Sequence, residues 1–293
     1  MATTNPPFTI TRLSPAIGAE VTGLDLTHEL APETVTALTD AWHEHIVLLF
    51  RGQTLDEDQQ LAFAARFGTL VERGRPATRR HESADHDTSV TLVSNIRKDG
   101  KAIGSLPDGD MWFHHDTCYT ENPCRASFLY AVEVPRTGGN TLFASSYAAY
   151  DAVPDELRDR LGACTALHVY DYDRPLNARL DIAGGLDSLR HFSHPVFTTH
   201  PKTGRKVLYV NRMMTARING PDGDGLDAGE SARILDRLYD IGEDPAHVYE
   251  HVWRPGDLIM WDNYCSMHGR TDFSPSETRL LRRCVIEGER PRA

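Results

Sequence analysis

Excess positive charge, paired cysteines and long apolar runs are what this sequence lacks. Lys and Arg number 31 against 42 Asp and Glu, a formal charge of −11. A polyanion or an anionic membrane surface would repel such a chain. That argues against nucleic acid or membrane as a main partner, but leaves room for a local basic pocket that binds a small acid. The five cysteines, Cys118, Cys124, Cys164, Cys265 and Cys284, are odd in number, irregularly spaced and free of any C-x-x-C pair. This excludes a disulfide framework and fits reduced, intracellular cysteine usage. No run approaches the roughly 18 apolar residues of a membrane span, and residues 1–7 lack the apolar segment of a signal peptide. The expectation is a soluble, cytoplasmic protein with a small-molecule partner, self-association being left open. Linkers, repeats and low-complexity blocks are missing too. With 40% hydrophobic and 25% charged residues over 293 positions, the chain can build a sizeable core within one domain, 1–293.

Short strands separated by turns are what is there. The segment 8–26 reads as two short strands around Ser14, Pro15 and Gly18. Apolar residues Val35, Leu38, Ala41 and Trp42 follow the helical period after Pro32. The run Ile46–Phe50 is too short for a helix and reads as a buried strand, followed by a second helix from about Leu55 to near Gly68. Further strands are expected at 90–93, 126–134, 141–143, 166–170, 248–253, 258–261 and 280–286, with a hairpin at 195–210. Thr137-Gly138-Gly139-Asn140 reads as a hairpin turn. Helices fit 147–152, 154–161 and 228–241. Polar loops at 72–87, 97–110 and 171–192 are long enough to suggest function or mobility. The pattern predicts a mainly β, barrel-like fold with peripheral helices.

The chemistry centres on Trp112-Phe113-His114-His115-Asp116. Side chains two apart on a strand share a face, so His114 and Asp116 reach one point while His115 faces away. An imidazole and a carboxylate give two ligands of a facial site, and His268 can supply the third. Two histidines and one carboxylate with open positions are the ligand set of non-heme Fe(II) oxygenases. His268 follows Asp116 by more than 150 residues, so the ligands meet only if the sheet curls back on itself, as in a jelly roll.

The motifs together resemble the taurine / 2,4-dichlorophenoxyacetate dioxygenase family. They are Ile46–Gln53, His114-His115-Asp116, Thr137–Thr141, His200–Arg205, Gly256–Asn263 with His268, and Arg279–Arg283, and the resemblance spans about Ile10 to Glu287. It implies a double-stranded β-helix fold, Fe(II) held by His114, Asp116 and His268, and use of 2-oxoglutarate and O2. It also implies that Arg279, eleven residues after His268, and Thr141 bind the distal carboxylate of 2-oxoglutarate; an always-charged planar guanidinium suits that group. Asp262 and Asn263 are expected to orient backbone near the metal. Phe113 stands where the family usually has Trp, and Tyr264 where it often has Arg. Because Asp116 is present, hydroxylation is expected over halogenation.

Candidate substrate contacts are Arg283, Asp110 and Asn95. Arg283 shares a strand face with Arg279 and could meet an anionic group, or could be a structural ion-pair partner. Asp110 would instead favour an amine-bearing or zwitterionic substrate. Two other readings remain: a metal- and 2-oxoglutarate-binding module without turnover, and a His/Asp/His zinc-type hydrolase.

Overall fold

The computed structural model describes residues 7–72, 89–105, 109–180 and 182–293. The chain runs β1 (Thr9–Arg12), β2 (Ala19–Thr22), α1 (Pro32–His45), β3 (Val47–Phe50), α2 (Glu57–Ala64) and β4 (Thr91–Ser94). Then come β5 (Arg97–Lys98), β6 (Lys101–Ala102), β7 (Met111–His114), β8 (Ala126–Glu133), β9 (Thr141–Ser145), α3 (Ser146–Ala152), α4 (Asp155–Leu161) and β10 (Thr165–Tyr170). The last third holds β11 (Arg190–Pro195), β12 (Phe197–Thr199), β13 (Lys206–Leu208), β14 (Thr215–Asn219), α5 (Ala228–Gly242), β15 (Val248–His251), β16 (Leu258–Asp262), β17 (Ser266–Arg270) and β18 (Leu280–Ile286).

Two sheets make the framework. The larger has the order β1-β2-β3-β16-β8-β18-β4, and the smaller β15-β9-β17-β7. All pairings are antiparallel except β2 with β3. Strands distant in sequence lie side by side, which is the jelly-roll solution expected from the ligand spacing. The apolar run at 46–50 is explained by its place. Val47 and Leu49, with Leu129, Ile259, Trp261 and Leu281, face the smaller sheet and pack near Phe143 and Met111. Leu48 and Phe50, with Phe128, Met260 and Ile286, face outward under Leu38 and Trp42 of α1 and Leu61 and Phe63 of α2. Both faces of the strand are covered, so its sequence shows no polar alternation. Each such large side chain contributes roughly 1.5–3 kcal/mol on burial.

The helices follow local chemistry. α1 opens with Pro at its first turn and buries Thr34, Leu38, Ala41, Trp42 and His45, while Val35 is only half-buried. α2 begins with a capping box between Asp56 and Gln59 and ends at Ala64, shorter than the pattern suggested. α5 buries Ile234, Leu235 and Leu238 as anticipated, against a third cluster with Val196, Leu208 and Ile218.

Several expectations need correction. The segment 137–140 is no hairpin turn: β8 belongs to the larger sheet and β9 to the smaller, so it crosses between them. Gly138 and Gly139 have φ of 76° and 63°, and a Cβ at Gly138 would lie 2.3 Å from the Asp272 carbonyl oxygen. Only glycine permits that crossing. The loop at 97–110 carries the small β5–β6 ladder, and the loop at 171–192 ends inside β11. Residues 73–87 of the first predicted loop and 106–108 of the second lie outside the described residues. Strands β14 and β17 were not anticipated. Among the described residues, no helix is long and apolar enough to cross a membrane.

A group of buried histidines makes the fold sensitive to acid. His168 and His194 pack around Tyr209, with ring centroids 5.6 Å from it in each case. Burial pushes the His194 imidazole down to about 4 and holds His168 well below its ordinary value. Because these folded-state values lie below the unfolded one, the unfolded chain takes up protons first as pH falls. Stability is therefore complete above pH 6.5 and is lost on acidification from 6.5 toward about 4. Chemical denaturation at pH 7.5 and pH 5 should show a loss of roughly 2 kcal/mol from His194 alone, and His194→Gln should flatten the profile. Equal stability at the two pH values would contradict this.

Candidate metal centre and co-substrate pocket

Three side chains converge between the sheets. His114 ends β7, and His268 lies directly opposite it on β17. Facing antiparallel positions bring side chains together, and the two rings sit 4.1 Å apart by centroid. Gly269 makes the close approach feasible, since a Cβ there would lie 2.9 Å from the Met111 carbonyl oxygen. The His114 Nδ1 donates to the Trp112 carbonyl at 3.0 Å. That bond fixes the tautomer and leaves the Nε2 lone pair facing the site.

Asp116 arrives differently from the strand argument. β7 stops at His114, and Asp116 stands in a turn whose next residue, Thr117, has φ of 54°. Asn263 holds this turn in place. Its Oδ1 accepts from the Asp116 amide at 2.7 Å and its Nδ2 donates to the Asp116 carbonyl at 2.9 Å. The carboxylate is divided between two tasks. Oδ2 accepts from Ser127 Oγ at 2.7 Å and pairs with Arg283 Nη2 at 2.6 Å. Oδ1 faces His114 Nε2 at 3.8 Å and His268 Nε2 at 3.9 Å.

The electrostatics suit a divalent cation. Burial raises the Asp116 carboxyl, but the adjacent Arg283 guanidinium and the Ser127 hydroxyl counter this and help hold it below the usual carboxylate range. Burial keeps His114 and His268 neutral. One anionic oxygen and two neutral imidazole nitrogens, all within 4.8 Å of one another, form the facial set that leaves coordination positions open. The residues present fit Fe(II). His115 turns away, is fully buried, contacts Tyr209 at 4.4 Å, and is pushed down to about 3 by burial. The second grouping of buried donor atoms, His200, Asp262 and Cys265, is already satisfied: Arg125 and His200 both contact Asp262 Oδ2 at 3.0 Å.

A cavity of about 720 Å³ opens over the three ligands, and Thr141 and Arg279 line it as well. Arg279 precedes β18 and is 2% exposed. Its Nε donates to the Gly139 carbonyl at 3.3 Å, while its Nη1 is buried without a hydrogen-bond partner among the described residues. Burial and then neighbouring Arg270 push the guanidinium down to about 9, so it remains charged at neutral pH. An unpartnered buried guanidinium N–H is costly, and an anion entering the cavity would relieve it. Thr141 opens β9, and its Oγ1 accepts from Trp253 Nε1 at 3.0 Å.

The three substrate candidates fare unequally. Arg283 lines the cavity, but its guanidinium is ion-paired with Asp116. Asp110 is not among the cavity-lining residues; its carboxylate accepts from Asn177 at 2.6 Å. Asn95 is structural. Its Nδ2 donates to the Glu277 carbonyl and its Oδ1 accepts the Arg279 amide, pinning the segment that carries Arg279. Sequence reasoning did not reach Ser127, Trp253 or the aromatic wall of Tyr119, Tyr170 and Tyr172. Tyr119 stacks on Tyr170 at 4.8 Å, and Arg190 lies 5.3 Å from the Tyr119 ring. The alternation of Tyr170 and Tyr172 at the end of β10 was the available signal.

A jelly roll with a His/Asp/His cluster beside a buried guanidinium is the arrangement expected of a non-heme metal oxygenase. The family described as taurine catabolism dioxygenase TauD, TfdA family, matches residues 9–285, and the chain belongs to it. It is similar to pentalenolactone F synthase of Streptomyces avermitilis, 34% identical over 94% of this chain and 93% of that protein. It is also similar to the (S)-phenoxypropionate/alpha-ketoglutarate-dioxygenase of Sphingobium herbicidovorans, 31% identical over 97% and 96%. Among solved structures, a taurine dioxygenase from Burkholderia xenovorans superposes with a TM-score of 0.79 at 27% identity, covering 98% of this chain and 91% of that one. AAD-2 in complex with Mn(II) and N-oxalylglycine superposes with 0.78 at 28%, covering 98% and 99%. The protein is an Fe(II)/2-oxoglutarate-dependent dioxygenase that oxidises a small organic substrate. The hydrolase and non-catalytic readings are not favoured.

Proposed function

We propose that His114, Asp116 and His268 hold the Fe(II), that Thr141 and Arg279 receive the distal carboxylate of 2-oxoglutarate, and that the primary substrate is a small organic anion with an apolar body. When bound, the metal and 2-oxoglutarate supply O2 activation, with release of succinate and CO2. The protein's part is positional. Arg283 and Ser127 hold one carboxylate oxygen of Asp116 so that the other faces the metal position. Tyr119, Tyr170, Leu176 and Met213 also line the cavity, an apolar surface suited to a carbon body.

The observation carrying the anionic reading is charge balance. The whole chain is acidic, yet among the described residues the cavity wall has four guanidiniums, Arg190, Arg270, Arg279 and Arg283, against three carboxylates, Glu72, Asp116 and Glu287. An Fe(II) and a 2-oxoglutarate dianion cancel, so the loaded cavity stays positive. The relative that acts on phenoxypropionate supports the same class. The reading extends to a cytoplasmic enzyme without nucleic-acid or membrane partners, supported by the acidic surface and five unpaired, buried cysteines.

The test couples succinate release to matched pairs of carboxylates and their neutral methyl esters, phenoxypropionate included. The wild type should favour the carboxylate. Arg283→Gln should lower kcat/KM for every substrate, on the order of 10–100-fold, as expected when a metal ligand loses its outer partner, and should also erase the preference for the anion. A preference that survives the substitution would leave Arg283 as the partner of Asp116 alone. A wild type that prefers the neutral ester would overturn the anionic reading.

A further inference from the structure

We propose that Trp253 is a positioning residue for the co-substrate: its indole N–H fixes the hydroxyl of Thr141 so that the hydroxyl proton is aimed into the cavity. This rests on the reading that Thr141 and Arg279 receive the 2-oxoglutarate carboxylate. An indole nitrogen can only donate, whereas a threonine hydroxyl has one proton and two lone pairs. The contact of 3.0 Å between Trp253 Nε1 and Thr141 Oγ1 therefore occupies a lone pair. Both residues are buried, at 6% and 4% exposure, so water from outside does not compete for that oxygen. The hydroxyl proton is left to seek an acceptor, and Thr141 lines the cavity alongside Arg279. A carboxylate there would accept both the Thr141 O–H and the unpartnered Arg279 Nη1.

Trp253 is itself braced. Its ring meets His251 edge-to-face at 4.5 Å and 88°. His251 Nε2 bonds Asp257 Oδ2 at 3.0 Å, and the same oxygen accepts from Arg51 Nη1 at 2.8 Å and the Arg254 amide at 3.0 Å. A buried carboxylate thus holds the imidazole on which the indole rests. Without the indole N–H, the Thr141 hydroxyl could rotate, and part of the carboxylate's binding energy would go into orienting it.

The experiment is calorimetric titration of 2-oxoglutarate into the full-length protein loaded with Mn(II) in place of Fe(II). It is paired with steady-state KM and kcat for 2-oxoglutarate on the Fe(II) enzyme. Trp253→Phe should weaken 2-oxoglutarate binding roughly 3- to 10-fold and Thr141→Val roughly 10- to 100-fold, the range for one charge-assisted hydrogen bond. The loss should appear in KM, with kcat little changed. The double variant should bind no more weakly than Thr141→Val alone, and Thr141→Ser should bind nearly as wild type. Should Trp253→Phe fold poorly, benzothienylalanine at 253 keeps the ring shape and removes only the donor. If Thr141→Val loses affinity while the Trp253 variants keep it, or if the two losses multiply, the positioning role is wrong. If Thr141→Val and Arg279→Ala both keep wild-type affinity, the anchor reading itself falls, and this proposal with it.

Discussion

His268→Ala should leave no measurable 2-oxoglutarate turnover and should weaken divalent-metal binding by more than roughly 100-fold, because the loss of even an outer partner of a metal ligand costs 10- to 100-fold. The same is expected of His114→Ala. The folded state should survive, since the two rings meet at a tilt beside the cavity and the sheets are held by apolar residues on either side. Asp116 needs a gentler substitution. Replacing it by Ala would strand the Arg283 guanidinium in a buried position, so loss of activity there would mix two causes. Asp116→Asn keeps the backbone bonds to Asn263 and much of the shape, and should still abolish turnover by removing the anionic oxygen. Metal titration and circular dichroism on the three variants decide the matter. Wild-type metal affinity together with wild-type turnover in any one of them would remove that residue from the ligand set.

Arg279→Ala should raise the 2-oxoglutarate KM far more than the KM for the primary substrate. Losing one charge-assisted contact to a buried carboxylate is worth on the order of 2–5 kcal/mol, a factor of roughly 30 or more. Arg279→Lys should recover only part of this, since an ammonium lacks the planar fork. The guanidinium stays charged near neutral pH although burial lowers it to about 9, so the KM effect should be flat from pH 6 to 8. An unchanged 2-oxoglutarate KM in Arg279→Ala would refute the assignment.

How far the sequence could be read depended on whether a side chain's partner was local. The strand at 46–50, the helix at 32–45 and the amphipathic face of 228–242 rest on periodicity, and periodicity is visible in a single segment. His114 was read from strand alternation with Asp116, and the expectation for Arg279 came from the family resemblance. The Thr137–Asn140 crossing was misread because a glycine pair with positive φ serves a hairpin and a sheet change equally well, and only the partner strands differ. Asp110 and Asn95 were misplaced for a similar reason. Their partners, Asn177 and the 277–279 backbone, lie 67 and more than 180 residues away. Trp253 carries no mark at all until the fold sets its nitrogen against Thr141.

The division of labour between the two sheets has a mechanical consequence. Both histidines proposed to bind the metal, and Thr141, stand on the smaller sheet, whereas Ser127, Arg283 and the Arg279 segment belong to the larger one. The two halves of each binding task thus sit on opposite jaws, and any spreading of the jaws lengthens the metal–ligand and anchor contacts together. On the proposed assignment, metal and co-substrate would act as rivets across the seam. Loading them would tighten the sandwich where it is least filled, so the wall that meets the substrate would be drawn into its working shape by the earlier ligands before the substrate arrives.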